Sequence, residues 1–109
     1  MAKFVKGAIV VVPFPFSDLT GAKRRPAFVI TELPGNDILL CQITSKAGKD
    51  KYSVPINSSA FRSGELPVES NIRPNKIFTA DKNIIIRKAG TLNGAVVKMV
   101  IDTIIDIIS

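Results

Sequence analysis

The residues of this chain best suited to chemistry are the basic triplet Lys23-Arg24-Arg25 and the loop before it, which carries Phe14 and Phe16. Arginine offers planar, bidentate donors that match phosphate oxygens, and aromatic rings on a loop can stack on bases. Apolar segments at 7–12 and 27–31 flank the loop and the triplet. Cations and aromatics on a loop anchored by two strands predict a nucleic-acid site.

The composition supports a polyanionic partner and excludes several kinds of active site. The chain has 15 Lys and Arg against 9 Asp and Glu, a net charge of +6, which favours RNA, DNA or an acidic protein segment. It has no histidine, so histidine-based triads and dyads and the usual zinc sites are excluded. Cys41 lies in an apolar run, where we expect a buried thiol. We expect no metal and no cofactor.

The pattern of apolar and turn residues predicts a single, mainly β domain over residues 1–109. That length is usual for one compact domain, and a hydrophobic share of 46% can form a core. Pro13 and Pro15 are expected to end the first strand, and Gly35 to take the positive φ of a turn over 34–37. Strands are predicted at 7–12, 27–31, 38–44 and 52–56. Pro55 predicts that the last of these is a sheet edge. A hairpin is predicted whose strands are 76–80 and 84–88 and whose turn is 81–83. We expect residues 57–71 to be irregular.

The C-terminal segment has helical rather than strand periodicity. Asn93 is a good N-cap, and valines and isoleucines from Val96 to Ile108 recur at helical spacing. Lys98 and Asp102 lie one turn apart on its polar face. Five to seven short strands followed by one amphipathic helix predict a small, twisted, barrel-like sheet capped by that helix.

We expect a cytoplasmic protein that does not enter the membrane. The N-terminus lacks the small-residue cleavage site of a signal peptide. No apolar run approaches the roughly 20 residues that a membrane-spanning helix needs.

Three stretches in the right order resemble the PemK/MazF family, the ribonuclease toxins of bacterial toxin–antitoxin pairs. They are 7–30 (G-x-I-V-x-V-P-F-P-F-S-D-L-x-G-x-K-R-R-P-A-x-V-I), 42–45 (Q-I-T-S) and 72–82. The resemblance covers nearly the whole chain and implies an SH3-like β-barrel with a C-terminal helix, usually a homodimer. It also implies a metal-independent endoribonuclease that cuts single-stranded RNA within short sequences. The implied partner is an antitoxin whose acidic and apolar tail lies in the toxin's groove.

The resemblance assigns roles to particular residues. Arg25 and Thr44 match the family's catalytic arginine and threonine, and Arg73 matches an arginine that some members use near the scissile phosphate. This sequence departs from the family pattern at two positions. Ala8 stands where an acidic residue is common in the family, and Asn75 stands where several members have a carboxylate. The further residues expected to contact RNA are Phe16, Ser17, Asp18, Lys23, Arg24, Ser45, Asn75 and Lys76.

The chemistry is feasible with these residue types. RNA carries its own nucleophile, the 2′-OH, so cleavage to a 2′,3′-cyclic phosphate and a 5′-OH needs no metal. Arg25, Thr44 and Arg73 could bind and stabilise the pentacoordinate transition state. Asp18 is the acidic residue nearest the triplet and a candidate base.

Blander interpretations stay open. Lys23 and Arg24 could form a solvated cluster, and Phe14 and Phe16 could be core or dimer-facing aromatics. The alternative function is a non-catalytic toxin or nucleic-acid-binding module of the same barrel, for example a DNA gyrase inhibitor. The missing carboxylate at Asn75 motivates that alternative.

Overall fold

In the part of the chain that the structure describes, short segments rich in β-branched residues form seven strands of one antiparallel sheet, and one α-helix follows. The computed structural model describes residues 4–14, 23–46 and 51–109. The strands are β1 (Ala8–Phe14), β2 (Lys23–Glu32), β3 (Asp37–Thr44), β4 (Val54–Ile56), β5 (Phe61–Gly64), β6 (Ser70–Asp81) and β7 (Arg87–Leu92). Their order in the sheet is β4-β6-β3-β2-β1-β7-β5, so β4 and β5 are its edges. The predicted fold, a small curled β-sheet with a C-terminal helix, is confirmed.

Helix α1 (Gly94–Ile108) begins where the sequence predicted it. The Asn93 side chain accepts a hydrogen bond from the Val96 backbone N–H, which satisfies one of the first-turn donors. Lys98 Nζ and Asp102 Oδ2 lie 2.7 Å apart as an exposed i,i+4 ion pair. Because β-branched residues are weak helix formers, burial against the sheet must hold this helix in place.

Each face of the sheet carries its own buried apolar cluster. We call the face that packs against α1, through the buried Val100 and Ile104, the helix face. The other side is the opposite face, onto which Phe4, Phe78 and Ile85 pack. The helix face buries Ile9, Phe28, Cys41, Ile43 and Ile72, and the opposite face buries Val10, Val12, Ala27, Val29, Ile38 and Leu40.

Several turn and edge predictions are confirmed. Gly35 has φ +75° in the turn between β2 and β3, and β2 and β3 pair antiparallel. β4 is an edge strand in which Val54 and Ile56 are buried and Pro55 is exposed, as alternation predicted.

The prediction that Pro13 ends the first strand is wrong, and so is the start of the second strand at residue 27. Pro13 pairs with Arg24, and Pro26 pairs with Val11. The β1–β7 pairing stops at Val11 and the β2–β3 pairing stops at Ala27. Each proline therefore has one neighbouring strand, so its missing N–H breaks no ladder bond on a second side.

The predicted hairpin at 76–80 and 84–88 and the irregular stretch at 57–71 are also wrong. Residues 61–64 form β5, and β6 begins at Ser70. Asp81 caps a 3-10 turn at 82–84 by accepting from the Asn83 N–H. That turn sends the chain to the other side of the sheet, where β7 pairs with β1 and β5 rather than with β6.

A bulge of three residues interrupts β6. Arg73 pairs with Gln42, but the next pairing joins Ile77 to Cys41. The three residues between them, 74–76, stay outside the ladder, with Pro74 fully buried. The pairing with β4 ends at Ile72, so β3 is the strand beside Pro74. A proline in register with β3 could not donate to that ladder, and the bulge removes the conflict.

Candidate functional site

The three predicted catalytic residues lie on the opposite face of the sheet, where β2, β3 and β6 run side by side. Ala27 pairs with Gln42, and Gln42 pairs with Arg73, so these three side chains share one face. Arg25 lies two residues before Ala27, and Thr44 lies two residues after Gln42. Side chains two apart on a strand point to the same side. The register therefore groups Arg25, Thr44 and Arg73.

The Arg25 side chain is only partly exposed, and its Nε is buried without a hydrogen-bond partner among the described residues. Leaving a buried charged donor unpaired costs free energy. A guanidinium binds phosphate through two parallel N–H donors. The buried Nε therefore leaves this arginine suited to an oxyanion ligand.

Thr44 is held at the end of β3 by its own hydroxyl. Its Oγ1 accepts a hydrogen bond from the Lys46 N–H at 3.2 Å, and the Asn71 Nδ2 donates to the Lys46 carbonyl at 3.3 Å. Asn71 is the partner of Thr44 across β3 and β6. The hydroxyl hydrogen of Thr44 stays available, because the known contact uses its oxygen as an acceptor. Thr44 can thus donate to a phosphate oxygen.

The start of β2 also borders a cleft of about 350 Å³, here called the arginine cleft. Among the described residues, Arg24, Arg25 and Arg87 line it and no acidic side chain does. Arg25 is thus the residue that this cleft shares with the group on the opposite face. Val11 pairs with both Pro26 and Arg87, which makes a continuous row on the helix face. The other lining residues are Val11, Pro26, Ile43, Ser45, Leu66, Pro67, Val68, Ser70 and Ile86. The cleft combines an apolar floor with cationic walls.

The remaining predicted contacts are divided between several places. Ser45 and Arg24 border the arginine cleft, on the helix face rather than beside Thr44. Asn75 and Lys76 are exposed in the β6 bulge that follows Arg73. Lys23 is the first residue of β2 and pairs with Phe14. The predictions for Phe16, Ser17 and Asp18 lie outside the described residues.

Sequence reasoning missed Arg87, which the structure places in the arginine cleft. The sequence pattern predicted a hairpin in which residues 84–88 pair with residues 76–80. That pairing gave no reason to connect Arg87 with the basic triplet at 23–25. Its pairing with Val11 brings it across the sheet to Arg24 and Arg25. The signal that could have found it is the apolar run 84–86 just before it, which crosses beside β1: the Ile86 N–H donates to the Val11 carbonyl at 2.8 Å.

Cys41 is not a candidate nucleophile. It is fully buried on the helix face, and burial raises the pKa of its thiol to about 12. The thiolate is the reactive form, so the side chain is an inert core residue, as predicted. Within residues 4–14, 23–46 and 51–109, no three His, Cys, Asp or Glu side chains are grouped to hold a metal. No helix in the same ranges is long and apolar enough to cross a membrane.

Solved structures with this fold include toxins and their complexes. The crystal structure of MazE-MazF from Deinococcus radiodurans superposes with a TM-score of 0.76 at 16% identity, covering 100% of this chain and 98% of that one. An endoribonuclease from a mycobacterial species gives 0.74 at 13% identity, covering 99% and 93%. The Mycobacterium tuberculosis toxin MazF-mt6 gives 0.71 at 16% identity, covering 91% and 93%. At these identities the likeness establishes the fold.

A sequence comparison with curated proteins gives no match. A family model, described as the PemK-like, MazF-like toxin of type II toxin–antitoxin systems, matches residues 5–108. That match contains the barrel strands, the residues grouped on the opposite face and the arginine cleft. The chain therefore belongs to the PemK-like, MazF-like family of type II toxin–antitoxin toxins.

Proposed function

We propose that this toxin is a sequence-specific, metal-independent endoribonuclease that cuts single-stranded mRNA to a 2′,3′-cyclic phosphate and a 5′-OH. One observation carries the proposal: the sheet groups Arg25, Thr44 and Arg73 on one face, with the Arg25 Nε buried and unpartnered among the described residues. Two arginines and a hydroxyl donor are the groups that a pentacoordinate phosphorane needs around its oxygens.

Each residue has a defined role in this mechanism. The RNA 2′-OH loses its proton as it attacks the adjacent phosphorus, and the bond from phosphorus to the 5′ oxygen breaks. The leaving 5′ oxygen takes a proton from solvent water, which gives the 5′-OH. The Arg25 and Arg73 guanidinium groups stabilise the negative charge on the non-bridging oxygens. Thr44 donates its hydroxyl hydrogen to one of them, while its oxygen stays fixed by the Lys46 N–H. Asp18 remains the predicted base for the 2′-OH proton, and it lies outside the described residues.

The comparisons support this function through proteins of the same fold. A mycobacterial endoribonuclease and another mycobacterial endoribonuclease in complex with its cognate antitoxin superpose on the chain with TM-scores of 0.74 and 0.72. Membership of the toxin family implies that an antitoxin exists. We therefore propose both endoribonuclease activity and an antitoxin partner for this chain.

The activity is tested by incubating purified protein with varied single-stranded RNAs in EDTA and identifying the new ends. We expect internal cuts at a short preferred sequence, a cyclic phosphate on the 5′ fragment and a 5′-OH on the 3′ fragment. Expression in bacteria should arrest growth. Intact RNA in every sample would reject the enzyme, and RNA bound without cleavage, or DNA gyrase captured instead, would favour the non-catalytic alternative.

The arginine cleft suits the antitoxin as well as RNA. Its cationic walls and apolar floor complement an extended peptide that alternates acidic and apolar side chains. We therefore propose that the antitoxin tail and RNA compete. Titrating antitoxin into a toxin–RNA mixture should release the RNA in proportion, and tight simultaneous binding of both would contradict a shared site.

The chain is proposed to act as a homodimer in the cytoplasm. Homodimers are the usual assembly that the family resemblance implies, and α1 leaves Met99, Ile105 and Ile108 at least half exposed. Light scattering of the purified protein should give twice the chain mass, and a monomer at working concentration would contradict the assembly.

A further inference from the structure

A second cleft, of about 470 Å³, adjoins the arginine cleft. Residues 66–68 belong to the walls of both clefts, so they form a ridge between them, with Val68 56% exposed. The other walls of the second cleft include residues 57–59, Phe61 and Glu69. We call this second space the polar cleft. A chain-like ligand can cross the ridge and occupy both spaces.

The two clefts have opposite electrostatics. Of the residues in the described ranges, three arginines and no carboxylate line the arginine cleft, whereas the polar cleft has no cation and one carboxylate, that of Glu69. A phosphate is therefore attracted to the first cleft and repelled from the second. In single-stranded RNA each phosphate is followed by a neutral base, so a strand whose phosphate lies among the arginines can place a base across the ridge.

The polar cleft carries the groups that recognise a base. Phe61 is partly buried and gives an aromatic wall, and a ring of this kind stacks on any base. Asn57 and Ser58 belong to the same walls and carry an amide and a hydroxyl group. Asn57 Oδ1 accepts from the Ser59 N–H at 2.9 Å and the Ser59 Oγ–H at 2.6 Å. These bonds fix the Asn57 side chain and leave its NH₂ group as a donor.

The wall between the clefts is also fixed before any ligand binds. Ser70 is 4% exposed, and its hydroxyl donates to the Val68 carbonyl at 3.1 Å. That bond ties the exposed ridge to the start of β6. A preorganised wall loses little entropy on binding, so a ligand gains affinity from it.

We propose that the polar cleft is a base subsite of the proposed ribonuclease, and that it selects a base with an exocyclic amino group over uracil. The inference rests on the proposed function. The Glu69 side chain makes no ion pair within the described part of the chain. Its carboxylate accepts hydrogen bonds from the amino groups of cytosine, adenine or guanine. Uracil instead presents one N–H between two carbonyl oxygens, which a carboxylate repels.

The test compares Glu69→Gln with wild-type protein and with Glu65→Gln. Glu65 is exposed in the same segment and lines neither cleft, so its variant carries the same charge change. Binding of short oligo(A), oligo(C) and oligo(U) with 2′-O-methyl groups, which cannot be cut, is followed by fluorescence anisotropy. In parallel, cleavage of a randomised RNA pool is read by sequencing the product ends.

We expect wild type and Glu65→Gln to prefer amino-bearing bases at one position beside the cut, and to bind oligo(A) and oligo(C) about tenfold more tightly than oligo(U). Glu69→Gln should lose most of that preference, chiefly by gaining affinity for oligo(U). Equal preferences in all three proteins would overturn the subsite, as would a Glu69→Gln effect confined to antitoxin binding. Binding preferences without any cleavage would reject the ribonuclease and leave the subsite standing.

Discussion

The two ends of strand β2 place charge in opposite ways. At its C-terminal end both carboxylate oxygens of Glu32 have partners, because Oε2 accepts from the Phe4 N–H at 2.6 Å and Oε1 lies 3.4 Å from Lys82 Nζ. At its N-terminal end, Arg24 and Arg25 form no ion pair with any residue in the described ranges. One end uses charge to join the N-terminal segment and the β6–β7 turn to the sheet. The other end leaves its cations available for a ligand.

The difference between the two ends indicates which charges of a small barrel serve stability and which serve function. A charge that is neutralised inside the fold contributes to stability, whereas an unpaired charge beside a cleft costs stability until a ligand arrives. If the comparison holds, variants at the Arg25 end should lower activity without lowering stability. Variants at the Glu32 end should lower stability and leave activity unchanged.

The largest effect is expected at Arg25. Arg25→Ala should lower the rate of RNA cleavage by about a hundredfold to a thousandfold, because a preorganised donor to the developing charge is lost. Arg25→Lys should recover little, since an ammonium group cannot donate in the bidentate geometry. Initial rates on one fluorescent RNA measure both variants.

The control for Arg25 is Arg62→Ala. Arg62 is exposed on β5 and does not line the arginine cleft, so its removal should leave cleavage nearly unchanged. Neither alanine variant should lower the temperature of thermal unfolding. Equal losses of activity at the two arginines would mean that net charge, rather than the Arg25 position, controls cleavage.

A smaller effect is expected at Thr44. Thr44→Val keeps the shape and removes the hydroxyl, and should slow cleavage about tenfold, the size of one lost hydrogen bond in the transition state. Thr44→Ser keeps the donor and should stay close to wild type. The comparison is made at saturating RNA, so that binding does not enter. A slow Thr44→Ser variant would indicate that the methyl group, not the hydroxyl, matters here.

The smallest effect on activity is expected at the other end of β2. Glu32→Gln should leave cleavage unchanged and lower the free energy of unfolding by about 1–2 kcal/mol, because a partly buried charge-assisted contact is weakened. Urea denaturation measures the loss. Asp102→Asn, which breaks the exposed pair with Lys98, is the matched control and should have little effect on stability. Lost cleavage in Glu32→Gln would break the distinction between the two ends.

The sequence was informative wherever a local rule decides the structure. The Asn93 cap, the helical period of α1, the Gly35 turn and the alternation around Pro55 each depend on a few neighbouring residues, and each prediction is confirmed. The grouping of Arg25, Thr44 and Arg73 depended on the family resemblance. The strand register places these residues on one face.

The errors share one physical cause, which is that pairing partners are set by tertiary structure. Pro13 and Pro26 sit inside strands because a second neighbouring strand is missing at those positions, and no local pattern reveals that. The hairpin prediction failed because the turn at 82–84 leads away from β6. The same crossing brings Arg87 to the arginine cleft, so an error in topology became a missed site residue.

The bulge in β6 has a consequence for how this toxin can change over evolution. Arg73 and Ile77 already occupy successive ladder positions, opposite Gln42 and Cys41. Removing all of residues 74–76 would therefore leave an unbroken strand. All the remaining side chains of β6 would stay on the face of the sheet that they occupy now. Length changes at this point are uncoupled from the register of the sheet, although the buried Pro74 side chain must then be replaced by other packing. Insertions and deletions here can alter the reach of the segment beside Arg73 towards a ligand while the sheet keeps its register.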